Sequence, residues 1–224
     1  MPLQRVLEPE VMDTVEEAVD YNAMDHSEVN TLFVQDLIAC ASNHNISLGN
    51  VLDLGTGTAL IPIELCQASA GAKVLAIDMA KEMLKIARTN VETSQLQERI
   101  SLQLHDAKKL PFKDGQFECL MSNSIVHHIP EPETCISESA RVLANGGLVF
   151  VRDLMRPDND EEVRALVQTY TGQEKESSQK MFDESLRAAL SLEEIRGLVA
   201  KYGFEPETVQ ATSDRHWTWS AVKS

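Results

Sequence analysis

Two glycines, several acids at predicted strand ends and a pair of adjacent histidines carry the chemistry open to this chain. Asp53, Gly55, Thr56 and Gly57 lie in the run Val51-Leu52-Asp53-Leu54-Gly55-Thr56-Gly57-Thr58-Ala59. Glycines at this spacing tolerate positive φ and let a ligand approach bare backbone. About twenty residues further on stands Asp78, where a carboxylate can accept from both hydroxyls of a ribose. Met79 follows and is placed to lie against a flat base. Asp78 can also cap the next helix, and the two roles are compatible. The dinucleotide fingerprint requires a third glycine three residues after the second, and Leu60 occupies that position. Asp53 would repel a pyrophosphate in a low-dielectric pocket, whereas a zwitterion with a free ammonium group suits an acid there.

His127 and His128 are the candidate general bases, because an imidazole titrates near neutral pH. Each can equally be a packed histidine bonded to backbone. Adjacent side chains diverge on a helix and rarely chelate one ion, so no obligatory metal is expected. A catechol-type Mg²⁺ site is not expected either, since Asp153 alone among the acids is clearly placed for one. Ser122 and Asn123 end a predicted strand. Arg152 and Asp153, just past another strand, either hold a carboxylate-bearing acceptor or brace their loop. Tyr21, Asp25 and His26 lie in a polar stretch between two helices; they either close over the site or cap and solvate the connection.

These residues need a parallel sheet to bring them together. Val51–Leu54 reads as a buried strand, and Leu60–Cys66 as a helix that tolerates Pro62 in its first turn. Lys73–Ile77 and Ile100–Leu104 read as strands flanking a helix Ala80–Thr93. Cys119–Asn123 and Leu148–Val151 read as further strands around a helix Glu133–Leu143, which Ala144-Asn145-Gly146-Gly147 is expected to close with a left-handed cap. Ahead of the sheet, Glu10–Tyr21 reads as a weakly amphipathic helix. A second helix begins at an N-cap Ser27, with Val29, Leu32, Phe33, Asp36, Leu37 and Ala41 at helical spacing. Residues 158–190 read as two inserted helices, a candidate substrate lid, with polar Thr171–Lys180 between them. Ser191-Leu192-Glu193-Glu194 is a capping box. Val209–Thr212 and His216–Val222 pair as a final hairpin with Trp217 and Trp219 on one face. The expected fold is a Rossmann-like, doubly wound α/β sheet of seven strands, the last antiparallel.

The pattern Asp53-x-Gly55-x-Gly57-x-Ala59 resembles the first motif of class I S-adenosylmethionine (SAM) dependent methyltransferases, with Ala59 where many members carry a third glycine. The pair Asp106-Ala107, then Leu110-Pro111-Phe112, then Asp114-Gly115-x-Phe117, is similar to the ubiquinone/menaquinone-methylase-like group of small-molecule methyltransferases. His127-His128-Ile129-Pro130 extends that similarity, while Glu118 replaces the usual Asp. The resemblance implies SAM as cofactor, S-adenosylhomocysteine as product and methyl transfer to a small-molecule acceptor. It also implies that Asp106 contacts the adenine amino group, and that Ser122 and Asn123, at the carboxyl end of the fourth strand, touch the methionine moiety or the acceptor. In-line displacement at an electrophilic methyl asks the protein chiefly for orientation and desolvation. The competing readings are a SAM-binding sensor or scaffold and a nucleotide-dependent oxidoreductase.

Charge narrows the partners. Acids outnumber lysine plus arginine by 35 to 20, for a net charge of −15 over 224 residues. Nucleic acid and anionic membranes both favour a basic face, so neither is an expected partner. Four scattered cysteines without a Cys-x-x-Cys pair argue against disulfides and zinc. No signal peptide or membrane-length apolar run is read, so the expected location is cytoplasmic. The predicted organisation is one methyltransferase domain: a helical cap over 1–44, a cofactor-binding core over 45–153, the helical insertion over 154–190, and a closing helix and strand pair over 191–224. The sequence carries no signal for an oligomeric state.

Overall fold

A computed structural model describes residues 3–11 and 13–224. Seven strands form one sheet: β1 (Val51–Leu54), β2 (Val74–Asp78), β3 (Ile100–Leu104), β4 (Phe117–Asn123), β5 (Leu143–Leu154), β6 (Val209–Ala211) and β7 (His216–Val222), in the order β3-β2-β1-β4-β5-β7-β6. The first five strands are parallel to one another, and β7 runs antiparallel to both β5 and β6. The strand order reverses between β1 and β4. In doubly wound sheets, ligands bind beyond the strand ends at that point.

Both sheet faces are covered, so the central strands read as continuous apolar runs. Leu52, Leu54, Leu120, Val149 and Val151 face one layer with α5 (Pro132–Val142), α8 (Leu192–Ala200), Trp217 and Trp219. Val51, Ala76, Cys119, Met121 and Phe150 face the other, with α2 (Ser27–Asn43) and α3 (Leu60–Ala68). The alternation of side chains along a strand therefore decides which layer each site residue enters.

Several local expectations are corrected. The first helix, α1 (Val15–Ala23), starts later than Glu10, because Thr14 and Glu17 form a capping box there. Met12, inside the expected helix, lies outside the described residues. Asp13 instead caps α4 (Lys81–Thr93), its Oδ1 accepting from Glu82 N at 2.9 Å. Ser27 is not an N-cap but the first residue of α2, and its N–H and hydroxyl both donate to Asp25 Oδ1. The buried face of α2 is Asn30, Phe33, Val34, Leu37 and Ala41; Val29 and Leu32 are exposed, and Asp36 pairs with Arg152. Helix α5 ends at Val142 with an extended cap rather than a left-handed one. The chain runs directly into β5, whose register against β4 shifts between Phe117 and Cys119.

The inserted helices are α6 (Asp160–Thr171) and α7 (Glu176–Ala188), so α7 takes up part of the stretch expected to be polar connection. They pack through Val163, Leu186 and Ala189 on Leu154 and on Leu3 from the N-terminal segment. The Ser191–Glu194 capping box starts α8 as predicted. Among the described residues, no helix is long and apolar enough to cross a membrane.

Candidate functional site

The turn after β1 builds the floor of the site. Gly55 and Gly57 have φ of +69° and +55°. A Cβ on Gly55 would lie 2.0 Å from Ile125 Cγ2, so no side chain fits there. A Cβ on Gly57 would stand 3.4 Å from Tyr21 Cε1, which puts the Tyr21 ring over the bare backbone. Asp78, at the end of β2, ties turn to strand. Its Oδ2 accepts from Gly57 N at 2.7 Å and its Oδ1 from Ala80 N at 2.8 Å. Burial raises the Asp78 pKa above its ordinary value. Each carboxylate oxygen has two acceptor sites, so both retain capacity for ligand hydroxyls.

A cavity opens beyond these strand ends. Gly55, Gly57, Asp78, Met79, Asp106, Ala107, Asn123, Tyr21 and His128 all lie in its wall. Asp106 accepts from Lys108 N through Oδ1, and the Lys108 ammonium bridges it to Glu10. Glu10 and Val11, which belong to no functional motif, also line the cavity.

Asp53 lies behind the turn, 3% exposed, and its Oδ2 has no hydrogen-bond partner. Burial pushes its carboxyl up to about 7. Thr56 Oγ1 beside it is likewise buried and unpartnered. Burial, followed by the nearby Asp78 and Asp53 charges, raises the Tyr21 phenol pKa. Neither Asp53 nor Thr56 lines the cavity, yet an unpartnered carboxylate and hydroxyl behind the glycine turn fit a ligand that brings a cation and hydrogen-bond donors.

Other candidates fall elsewhere. The Ser122 hydroxyl donates to Leu54 O at 2.8 Å and braces β1 against β4, outside the cavity wall. Asp25 holds the start of α2, and His26 packs on Tyr21 with ring centroids 4.7 Å apart; neither lines the cavity. Arg152 and Asp153 belong to β5 rather than to a loop, so they point to opposite faces. Arg152 donates to Asp36 and Thr218 and lies over Phe33 and Phe150, far from any acceptor role at the cavity. Asp153 is fully buried on the other face, where it accepts from Val126 N and Leu154 N at 2.6 Å each.

The same carboxylate bonds His127 Nδ1 at 2.5 Å. Burial opposes charge on His127, but Asp153 outweighs it and raises the imidazole pKa; the histidine in turn helps hold Asp153 below the usual carboxylate range despite its burial. A 3-10 turn, Val126–His128, stacks His127 on His128 with centroids 4.1 Å apart and rings 36° from parallel. The divergence expected of adjacent helical side chains is thus absent. His128 lines the cavity, whereas His127 is enclosed. Glu8 completes the group, its Oε1 3.0 Å from His128 Nδ1 and 3.6 Å from His127 Nε2.

Comparison with known proteins agrees with this architecture. Residues 52–151 match the methyltransferase domain family. The chain is 38% identical over 111 residues to phosphatidylethanolamine N-methyltransferase of Cereibacter sphaeroides, covering 50% of this chain and 53% of that one. It is 29% identical to a ubiquinone/menaquinone biosynthesis C-methyltransferase of a Geobacter species, covering 49% and 47%. The chain thus spans about half the length of these sequence relatives. Among solved structures, a candidate SAM-dependent methyltransferase of Methanococcus maripaludis matches with a TM-score of 0.72 at 19% identity, over 98% of this chain and 97% of that one. Its likeness speaks to the fold alone. The glycine turn, the acid at the end of β2 and the cavity agree with the family match: over residues 52–151 the chain carries a methyltransferase domain, on a fold shared with solved class I methyltransferases.

Proposed function

We propose that the protein transfers a methyl group from SAM to a small-molecule acceptor in the cytoplasm. The observation that carries this reading is the joined turn of Gly57 and Asp78, open to a cavity at the topological switch point. When bound, SAM supplies an electrophilic methyl on a sulfonium. Asp78 is the residue to hold the ribose hydroxyls, and Met79 with Asp106 and Ala107 the adenine. The Gly55–Thr58 turn, with Asp53 beneath it, is the seat for the amino-acid end. Tyr21, Glu10 and Val11 cover the cavity and keep water from the reacting centre. Residues 158–190 contribute nothing to the cavity wall and act as a buttress, not the cover expected of them.

Of the two histidines, His128 faces the cavity, so an acceptor proton leaves at His128 or at a group that His128 holds. Asp153 and Glu8 flank both nitrogens of His127 and remove it from this role. The relatives named above act, by their names, on a lipid amine and in quinone synthesis, so nitrogen and carbon acceptors are both in range. The test is incubation with isotopically labelled SAM and a metabolite extract, followed by identification of the labelled product. Methylation of a discrete small molecule is expected. With that acceptor, His128→Ala is expected to lower kcat by about 10²–10⁴-fold with S-adenosylhomocysteine affinity nearly intact. Protein that binds SAM but labels nothing across extracts of diverse composition would favour a sensor.

A further inference from the structure

Behind the cavity wall, three side chains from two distant parts of the chain point their donor atoms at one another. Glu8 Oε1, His127 Nε2 and His128 Nδ1 all lie within 4.8 Å of each other. We propose that they bind one divalent transition-metal cation of the zinc type.

The separations suit such an ion. With metal–nitrogen and metal–oxygen bonds of about 2.0–2.2 Å in tetrahedral geometry, neighbouring donors stand roughly 3.3–3.5 Å apart. The observed 3.0 Å and 3.6 Å bracket that spacing. Two of the donors have no other occupation. Glu8 Oε1 and His128 Nδ1 are buried, and although 3.0 Å apart they are not aligned for a hydrogen bond with each other or with anything else. The third donor is oriented from behind. Asp153 accepts from His127 Nδ1, which fixes the tautomer with the Nε2 lone pair toward Glu8. That carboxylate–histidine relay is the usual support of a metal-ligating imidazole. The second oxygen of Glu8 is held by Ser185 from α7, leaving Oε1 free for the ion.

The expectation that adjacent histidines cannot share an ion rested on α-helical geometry, and the 3-10 turn removes that premise. Arg5 is a neighbouring cation that bears on the site. Its guanidinium donates to the carbonyls of His127, Ile129, Pro130 and Ala188, so it pins the segment carrying Glu8 against the turn rather than occupying the carboxylate. Glu8 and Asp153 supply two carboxylates around the two imidazoles, a favourable setting for a dication. A three-residue donor set leaves the ion a further coordination position. His128 belongs both to this set and to the cavity wall, so the ion becomes the group through which His128 acts on an acceptor. That last step alone rests on the proposed methyl transfer.

The test is titration of the full chain, dialysed against a chelator, with Co²⁺ followed by visible absorption and calorimetry, then displacement by Zn²⁺. One ion per chain is expected, with visible bands of low-coordinate cobalt. Glu8→Gln and His128→Asn should each abolish the bands, and Asp153→Asn should weaken uptake by about 10–100-fold. Binding of S-adenosylhomocysteine by Glu8→Gln would show that the variant is folded and keeps the two proposals separable. Should the variants not fold, the native chain decides by paramagnetically shifted imidazole protons in its Co²⁺ NMR spectrum: two shifted imidazoles support the site. No uptake of Co²⁺ or Zn²⁺, uptake unaffected by both ligand substitutions, or no shifted imidazole would overturn it.

Discussion

Asp78 joins the two ends of the cofactor cradle with a single carboxylate. Its loss removes acceptors for Gly57 N and Ala80 N, and in the proposed function for the ribose hydroxyls as well. Asp78→Ala is therefore expected to weaken S-adenosylhomocysteine binding by roughly 1.5–3 kcal/mol, the scale of lost charge-assisted hydrogen bonds. An unchanged dissociation constant in the folded variant would remove the residue from the site. Asp53 makes a prediction about pH. Its ordinary value is 3.8, and in the fold burial raises it to about 7. Between these values the folded chain keeps a proton that the unfolded chain has released, so this residue's contribution to stability falls as pH rises through the window and is level above it. Urea unfolding of wild type and Asp53→Asn across pH 4–8 isolates the term: the stability difference between the two should shift in favour of the variant as pH rises toward 7. A pH-independent difference would mean that Asp53 is ionised throughout in the folded protein.

The elements explain which parts of the site were legible beforehand. Gly55, Gly57 and Asp78 belong to one strand–turn–helix–strand unit, where local spacing fixes spatial neighbours, and their placement together follows directly from the chain order. Arg152 and Asp153 were harder, because β5 continues to Leu154 and alternation sends consecutive residues to opposite faces. Ser122 shares that difficulty: its position at the end of β4 is right, but its side chain faces Leu54 rather than the cavity. Arg5, Glu8 and Glu10 were illegible, since they lie in an irregular segment without periodicity and meet partners more than a hundred positions away, as Arg5 does at His127 O, or nearly so, as Glu10 does at Lys108. That segment makes its own prediction. Arg5→Met removes side-chain bonds to four carbonyls, so amide exchange over residues 3–11 should accelerate relative to wild type, read by exchange mass spectrometry. Unchanged exchange there would mean that the segment is held by other contacts, such as Lys108 to Glu10.

Across the whole molecule, the sheet presents its switch point, the N-terminal segment and α1 cover it, and the inserted helices brace the histidine turn from the side. Family, fold and cavity all meet at the glycine turn, and the choice of SAM over a dinucleotide rests there on Leu60 and on the unpartnered Asp53. Calorimetric titration of the full chain with S-adenosylhomocysteine, and separately with NAD and NADP, tests that choice most directly. The account predicts one S-adenosylhomocysteine bound per chain, displaced by SAM, and no heat of binding from either dinucleotide. Saturable binding of NAD or NADP, with none of S-adenosylhomocysteine, would contradict it.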